Sequence, residues 1–394
     1  MRLSRLTVII VFIFLGVPCL VVAQTNANGS TINAIPTAVP FLNISPDSRS
    51  GAMGDAGVAI SPDANANFWN PAKLTFNENN DEFYVSYSPW MRNFVSDMNL
   101  SYLSFAHRLD SRNSIGASLR YFNLGSIQLI DANQVDQGTY KPSEVAFDVS
   151  FSRKFGDNFS LGLTGRYIHS DLSSQSFSTG STQTTKAGNA FAADISLYYK
   201  KEVQQFGVPA VFAFGTHISN LGSKISYTDN GPQYFLPANL KIGAANTWTL
   251  DNLNQITFTF DINKLLVPTP PIRDSNGNII QGKDDNVSVP AGIFGSFTDA
   301  PGGFKEELQE ITYSPGVEYS YAKQLFLRAG YFGESANKGN RQYVTMGVGF
   351  KYLYYGFDFS YLAAAQKNSP LANTLRFSLS INFGSTTAAA PAQE

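Results

Sequence analysis

The sequence predicts an all-β protein, a 14-stranded antiparallel transmembrane β-barrel with an N-terminal plug, or hatch, segment. Three observations carry this. From residue 81 onward, apolar and polar residues alternate over stretches of about ten positions, each closed by a turn. The connections between these stretches sort by length, short ones alternating with long ones. Only 15% of the residues are charged, while 31 Phe, 19 Tyr and 3 Trp supply aromatic surface; an average soluble domain carries about 25% charge. Net charge is −2, too neutral for a nucleic-acid partner. Past the first residues no run reaches the roughly 18 apolar residues of a spanning helix.

The chain opens with Arg2 and Arg5, an apolar stretch over residues 6–22, and small residues ending at Ala23. This is the pattern of a secretory signal peptide over 1–23. Pro18 interrupts the apolar stretch, and a bulky Pro18 before Cys19 does not suit a lipoprotein cleavage site. Removal of 1–23 takes away the single cysteine, so an exported chain without disulfides or thiolate metal sites is expected.

Residues 24–80 are rich in Asn, Ala, Pro and Gly and show no alternation. Residues 50–60 read as a short helix of small residues, with Gly51, Gly54 and Gly57 forming a narrow stripe for close packing. Trp69, Asn70, Pro71 and Ala72 close the segment, the expected filler of the lumen.

The fourteen strands of the barrel, 81–384, centre near residues 85, 104, 118, 150, 163, 195, 215, 244, 260, 317, 328, 348, 358 and 379. In one of them Phe147, Val149 and Phe151 alternate with Asp148, Ser150 and Ser152; in another Leu375, Phe377 and Leu379 alternate with Arg376, Ser378 and Ser380. A period of two puts the two sets on opposite faces. Connections are brief near residues 110, 157, 323 and 353, about five residues near 250 and about ten between strands 6 and 7. They are long near 123–144, 168–189, 221–237 and 265–312. Short periplasmic turns and long outer loops are the signature of an outer-membrane barrel. This orientation has residues 24–80 entering from the periplasm. Residues 385–394 form a tail.

The polar faces carry Asp148, Asp261, Glu318 and Asp358 with Arg166, Lys241, Arg328, Lys351 and Arg376. An Arg or Lys facing lipid near the midplane costs roughly 2–4 kcal/mol; inside the lumen it can pair. Catalytic and metal chemistry are not indicated. His107, His169 and His217 fall on separate strands. Asp274, Asn276 and Asn278 suggest a calcium loop, but Gly277 stands fourth rather than sixth, which leaves a tight turn. No enzyme activity, no metal and no cofactor are expected. The long loops instead carry Trp90 and Phe94, Tyr234 and Phe235, and Pro268, Pro270 and Pro271, followed by a helical turn with Phe304 and Leu308 on one face. Stiff, aromatic loops suit a protein partner.

The stretch from Phe41 through Arg49, Met53 and Gly54 to Gly57, followed by Phe68, Trp69, Asn70, Pro71 and Ala72, resembles the start of the PorV family. That family is the outer-membrane component of the Bacteroidetes type IX secretion system. The proline stretch over 265–272 is similar too. The wider group is FadL-like, with an N-terminal hatch and an Asn-Pro-Ala motif matched at Asn70, Pro71 and Ala72. The resemblance implies a protein that takes exported proteins bearing a C-terminal signal domain from a Sov/SprA-like translocon barrel. It hands them to an attachment complex containing a PorU-like sortase, with outer-membrane lipid around the barrel. The FadL likeness also raises transport of hydrophobic solutes, which needs an apolar pocket near Asn70. A lipid hydrolase would need a nucleophile and a base within about 3 Å.

Overall fold

Hydrocarbon offers the backbone no hydrogen-bond partners, so strands can cross it only as a closed sheet. The computed structural model is such a sheet and describes residues 33–92, 94–130, 134–172, 185–229, 231–366 and 369–383. The expected signal peptide, the tail, residues 24–32 and most of the 168–189 connection lie outside the described residues.

The barrel strands are β1 Asp81–Pro89, β2 Asn99–Arg108, β3 Asn113–Asn123, β4 Ser143–Lys154, β5 Phe159–Asp171, β6 Gly188–Gln205 and β7 Val208–Gly222. They continue with β8 Asn239–Thr249, β9 Asn254–Leu265, β10 Thr312–Tyr321, β11 Leu325–Gly333, β12 Gln342–Tyr352, β13 Tyr355–Ala364 and β14 Thr374–Phe383. Each pairs antiparallel with its neighbours, and β14 closes on β1 through Asp81 opposite Phe383 and Tyr87 opposite Phe377. Every sequence-predicted strand centre falls inside one of them.

Alternation sets the two surfaces. Phe147, Val149, Phe258, Phe260, Phe357 and Leu379 are exposed outward, while Asp148, Ser150, Thr257, Thr259, Asp358 and Ser380 are buried inside. Aromatic pairs such as Phe83 with Phe105 and Phe359 with Phe377 lie side by side on the outer face. Connections at 109–112, 155–158, 206–207, 250–253, 322–324 and 353–354 gather on one rim, and all the longer ones on the other. The connection between β6 and β7 differs from the ten residues expected. Both strands extend past the apolar band and meet in a hairpin at Phe206 and Gly207, each in the left-handed region (φ 53° and 79°). Lys200, Lys201 and Glu202 belong to that strand extension, which is why a pattern of apolar alternation stops short of it.

The longest loop, 266–311, is structured. It contains a hairpin of Ile272–Arg273 with Ile279–Gln281 and two helices, Val289–Gly295 and Phe304–Gln309. A second hairpin, Ile127–Ile130 with Asp136–Tyr140, stands in the loop after β3.

Residues 33–80 run through the interior. Val39, Phe41 and Leu42 pack at the long-loop end among Trp90, Leu100, Phe122, Ile168 and Leu236, and Ala38 N–H donates to the Phe235 carbonyl. At the other end Phe76 lies against Tyr198 near the short-turn rim, where β1 begins. The described part begins at the long-loop mouth, because Phe41 and Leu42 bury their side chains there. The expected helix over 50–60 is also corrected. One helical turn, Ser48–Gly51, is followed by turns and extended chain, because Gly54 adopts φ +72° and its N–H, like those of Gly57 and Val58, bonds to a side chain of the wall.

The lipid-facing assignment makes a quantitative prediction. Phe147→Arg should lower stability by about 2–4 kcal/mol, read as a lower urea midpoint for the heat-modifiable folded form on a gel. Asn158→Arg, in an exposed turn, should leave the midpoint in place.

Candidate functional site: the filled lumen and its two rims

A lumen walled by strands and closed to water cannot hold isolated charges, because desolvating one costs several kcal/mol unless a partner returns the energy. The lumenal residues obey this by forming two ion networks. In the first, Asp148 on β4 receives Arg120 from β3 (3.0 Å) and the Nε of Arg166 from β5. Arg166 reaches on to Asp194 on β6 (2.8 Å), which also meets His217 Nε2 (3.2 Å) and accepts from Asn220 N–H (2.8 Å). Arg120 Nη1 also donates to the Leu42 carbonyl at 2.9 Å, tying this network to the inner segment.

In the second, Arg328 bridges Glu318 (2.6 Å) and Asp358 (2.5 Å), and Tyr84 donates to Asp358 at 2.9 Å. Arg49, from the inner segment, joins Glu318 (3.2 Å) to Asp63 (2.9 Å). Asp55 accepts from Tyr343 at 2.5 Å and lies 3.5 Å from Arg376. Thus Asp148, Arg166, Glu318, Arg328, Asp358 and Arg376 all face the lumen and find partners there. Lys351 faces the same way, with its Nζ 5.5 Å from the Phe326 ring and the carboxylates of Asp63 and Glu82 as charged neighbours.

Contacts outside the two networks finish the fastening. Asp261 accepts from the backbone N–H of Gly57 (2.7 Å) and Val58 (2.9 Å). Lys73 Nζ donates to the carbonyls of Gly57 and Ile60. Lys241 Nζ sits 4.6 Å from the rings of both Phe68 and Trp69, a desolvated cation–π arrangement. Trp69 Nε1 donates to Asp47 at 2.6 Å. The Asn-Pro-Ala motif is a clamp on three strands. Asn70 Nδ2 donates to the carbonyls of Val58 and Leu197, and its Oδ1 accepts from Ala72 N–H. Ser152 donates to the Pro71 carbonyl and Ser160 to the Ala72 carbonyl, both at 2.6 Å.

The three glycines act separately rather than as a stripe. A Cβ on Gly54 would stand 2.3 Å from the Tyr331 carbonyl oxygen, and one on Gly57 would enter the Trp69 ring. The wall is bare in return: a Cβ on Gly330 would meet the Met53 backbone at 2.1 Å. Sequence reasoning missed Arg49, Asp55, Asp63, Arg120 and Asp194. Arg120 and Asp194 share the inward parity of their strands, a signal that was available. Arg49, Asp55 and Asp63 stand where no alternation assigns a face.

The long-loop rim corrects two expected contact residues. Trp90 is buried at the barrel mouth against Phe41, Leu100 and Phe122, and Pro268 is buried under Gly292. Apolar area inside the mouth outweighs exposure for both. Pro270, Pro271 and Phe235 are half-buried, and Phe235 lies beneath Lys224 Nζ at 4.2 Å. Phe94, Tyr234, Phe304 and Leu308 are exposed, joined by Phe294, Phe297 and Ile280 of the longest loop.

That loop is fastened by charge. Lys264 meets Glu307 (3.0 Å) and Glu310 (2.5 Å), and Lys338 meets Glu306 (2.6 Å) and Glu310 (2.9 Å). Asn33 donates to Glu306 and Thr269 to Glu310, both within 3 Å. Burial raises the Asp299 carboxyl above its ordinary value against the hydrogen bond from Thr269 N–H, and Glu307 and Glu310 add to the rise. A cavity of about 160 Å³ lies beside this cluster, between Ile35, Leu265, Glu334 and Arg341. The three histidines stand apart: His107 pairs with Asp81 at 2.7 Å, His169 bonds Asn189, and His217 bonds Asp194. Asp274 accepts from the N–H groups of Asn276 and Asn278, a tight turn within the loop hairpin.

The fold and the lumen define a class, the β-barrels of the bacterial outer membrane, here with a segment of its own chain inside. Residues 26–272 match the family described as Type IX secretion system protein PorV, and the chain belongs to that family. No curated protein matches the chain. Among solved structures it is similar to the Pseudomonas putida toluene transporter TodX, at 12% identity, 89% coverage of this chain, 98% of that one and a TM-score of 0.49. It is also similar to the CymD monoaromatic hydrocarbon channel (12%, 86% and 98%, 0.49) and to the Ralstonia pickettii toluene transporter TbuX (12%, 85% and 96%, 0.44).

Arg166→Ala would leave Asp148 and Asp194 buried without their main partner. A loss of about 3–5 kcal/mol is expected, measured as the urea midpoint of the folded band, whereas Arg273→Ala in the exposed hairpin should shift it by less than about 1 kcal/mol.

Proposed function

We propose that this protein is a non-enzymatic shuttle of type IX secretion. It binds exported proteins through their C-terminal signal domain, receives them from a Sov/SprA-like translocon barrel and delivers them to an attachment complex holding a PorU-like sortase. Membership of the PorV family supports the system. The observation that carries the shuttle reading is the division of the molecule. The lumen is occupied by residues 33–80, locked by ion pairs, while the long-loop rim presents Phe94, Tyr234, Phe294, Phe304 and Leu308 to solvent. In this reading the loops face the cell exterior, residues 24–80 plug the barrel, and cargo travels beside or on the barrel rather than through it. The surroundings of Asn70, with Ser152, Ser160 and Ser196 bonded to its motif, are polar, which weighs against transport of hydrophobic solutes.

Deletion of the gene should leave cargo in the periplasm; normal surface display in the deletion strain would overturn the proposal. Phe294→Asp with Phe304→Asp and Leu308→Asp should keep a heat-modifiable barrel and reduce cargo co-purification at least about tenfold, since exposed apolar anchors carry most of the binding energy at a protein interface.

A further inference from the structure

The short-turn rim holds a group of cations outside the two ion networks. Arg108 at the end of β2, Lys154 at the end of β4 and Lys200 on β6 all have the inward parity of their strands and are half-buried. Lys154 Nζ and Lys200 Nζ lie 4.4 and 5.2 Å from the centroid of one ring, Phe76, which ends the inner segment. The charged neighbours of Lys154 are Lys200, Arg108 and, in the exposed turn, Asp157. Among the described residues no carboxylate comes within 4 Å of any of these three cations, whereas Arg49, Arg120, Arg166, Arg328 and Arg376 each have one. The Nε of Arg108 is buried with no hydrogen-bond partner. Like charges gathered around a single ring repel; the Phe76 face holds Lys154 and Lys200 as Phe68 and Trp69 hold Lys241, but at the open rim no carboxylate within 4 Å neutralises any of the three, which leaves their charge for something outside the chain. Lys351 is on the same side of the barrel but is already compensated by Asp63 and Glu82.

We propose that this mouth is a docking site for an acidic peptide segment of a partner protein. Lys154 and Lys200 share the Phe76 ring, while Arg108 stands apart at the end of β2. Spaced carboxylates on an extended chain match that layout, while a single oxyanion does not. The exposed Phe206, in the β6–β7 hairpin, supplies apolar contact beside the charge. The inward parity of the three side chains directs them to the mouth rather than to surrounding lipid. The site lies on the rim opposite the proposed cargo loops and rests on the shuttle reading only for the compartment it faces.

The test uses the full-length protein in nondenaturing detergent and a fluorescein-labelled decaglutamate peptide, with binding followed by anisotropy at low and at physiological salt. Saturable binding, weakened by salt and reduced about tenfold by Lys154→Gln with Lys200→Gln, is expected; Arg108→Gln should weaken it further. Lys283→Gln with Lys305→Gln, on the opposite rim, should leave it unchanged. All variants are checked for a heat-modifiable folded band. Absence of saturable binding, equal affinity in the Lys154/Lys200 variant, displacement by inorganic phosphate as effective as by unlabelled decaglutamate, or lysine-dependent binding to phosphatidylglycerol vesicles would each overturn the proposal. The assay contains no cargo and reads no secretion, so its failure and failure of the shuttle reading are separate results.

Discussion

The rest of the structure depends on the pairing of charge inside a wall that water does not reach. Closing the sheet satisfies the backbone, but it leaves Asp148, Asp194, Glu318 and Asp358 facing inward with nothing to solvate them. Arg166 and Arg328 link strands through them, and Arg49 and Arg120 carry the same networks into the inner segment. A removed partner would leave a buried charge on the other side, which is why the segment and the wall behave as one packed body.

That arrangement also explains why small residues crowd the segment. Its backbone, rather than its side chains, is what touches the wall at Gly54 and Gly57, and the wall answers with Gly330 and with acceptors such as Asp261 and Thr345. Bulk stands at the two ends, where Phe41 and Leu42 fill one mouth and Phe76 the other, and between them at Phe68 and Trp69. The long-loop rim is then free to carry structure of its own, and the ion pairs of Lys264 and Lys338 hold the 266–311 loop in a defined place with its aromatic residues outward.

Much of the barrel was legible in the sequence because alternation is a local property. Phe147 beside Asp148, or Phe377 beside Arg376, assigns both faces without knowledge of any other strand. Loop length by parity set the two rims in the same way. What could not be read was anything that depends on who meets whom. Arg49 finds Glu318 across 269 positions of sequence, and no local pattern records that distance. Trp90 looked like an exposed loop aromatic because its burial comes from Phe41 and Phe122, neither of them near in sequence. The spacing of Gly51, Gly54 and Gly57 suggested a helix, but Gly54 was selected by a left-handed backbone and a close wall. The β6–β7 hairpin was hidden because Lys200, Lys201 and Glu202 continue the strand beyond the apolar band.

The path of residues 33–80 from one mouth to the other has a consequence for how the molecule is made. Because both ends are held at opposite rims, and partners for the middle come from strands as widely spaced around the barrel as β4 and β12, a finished cylinder could not admit this stretch afterwards without breaking its internal pairs. Inner segment and wall are therefore parts of one closure, each supplying the partners that the other needs.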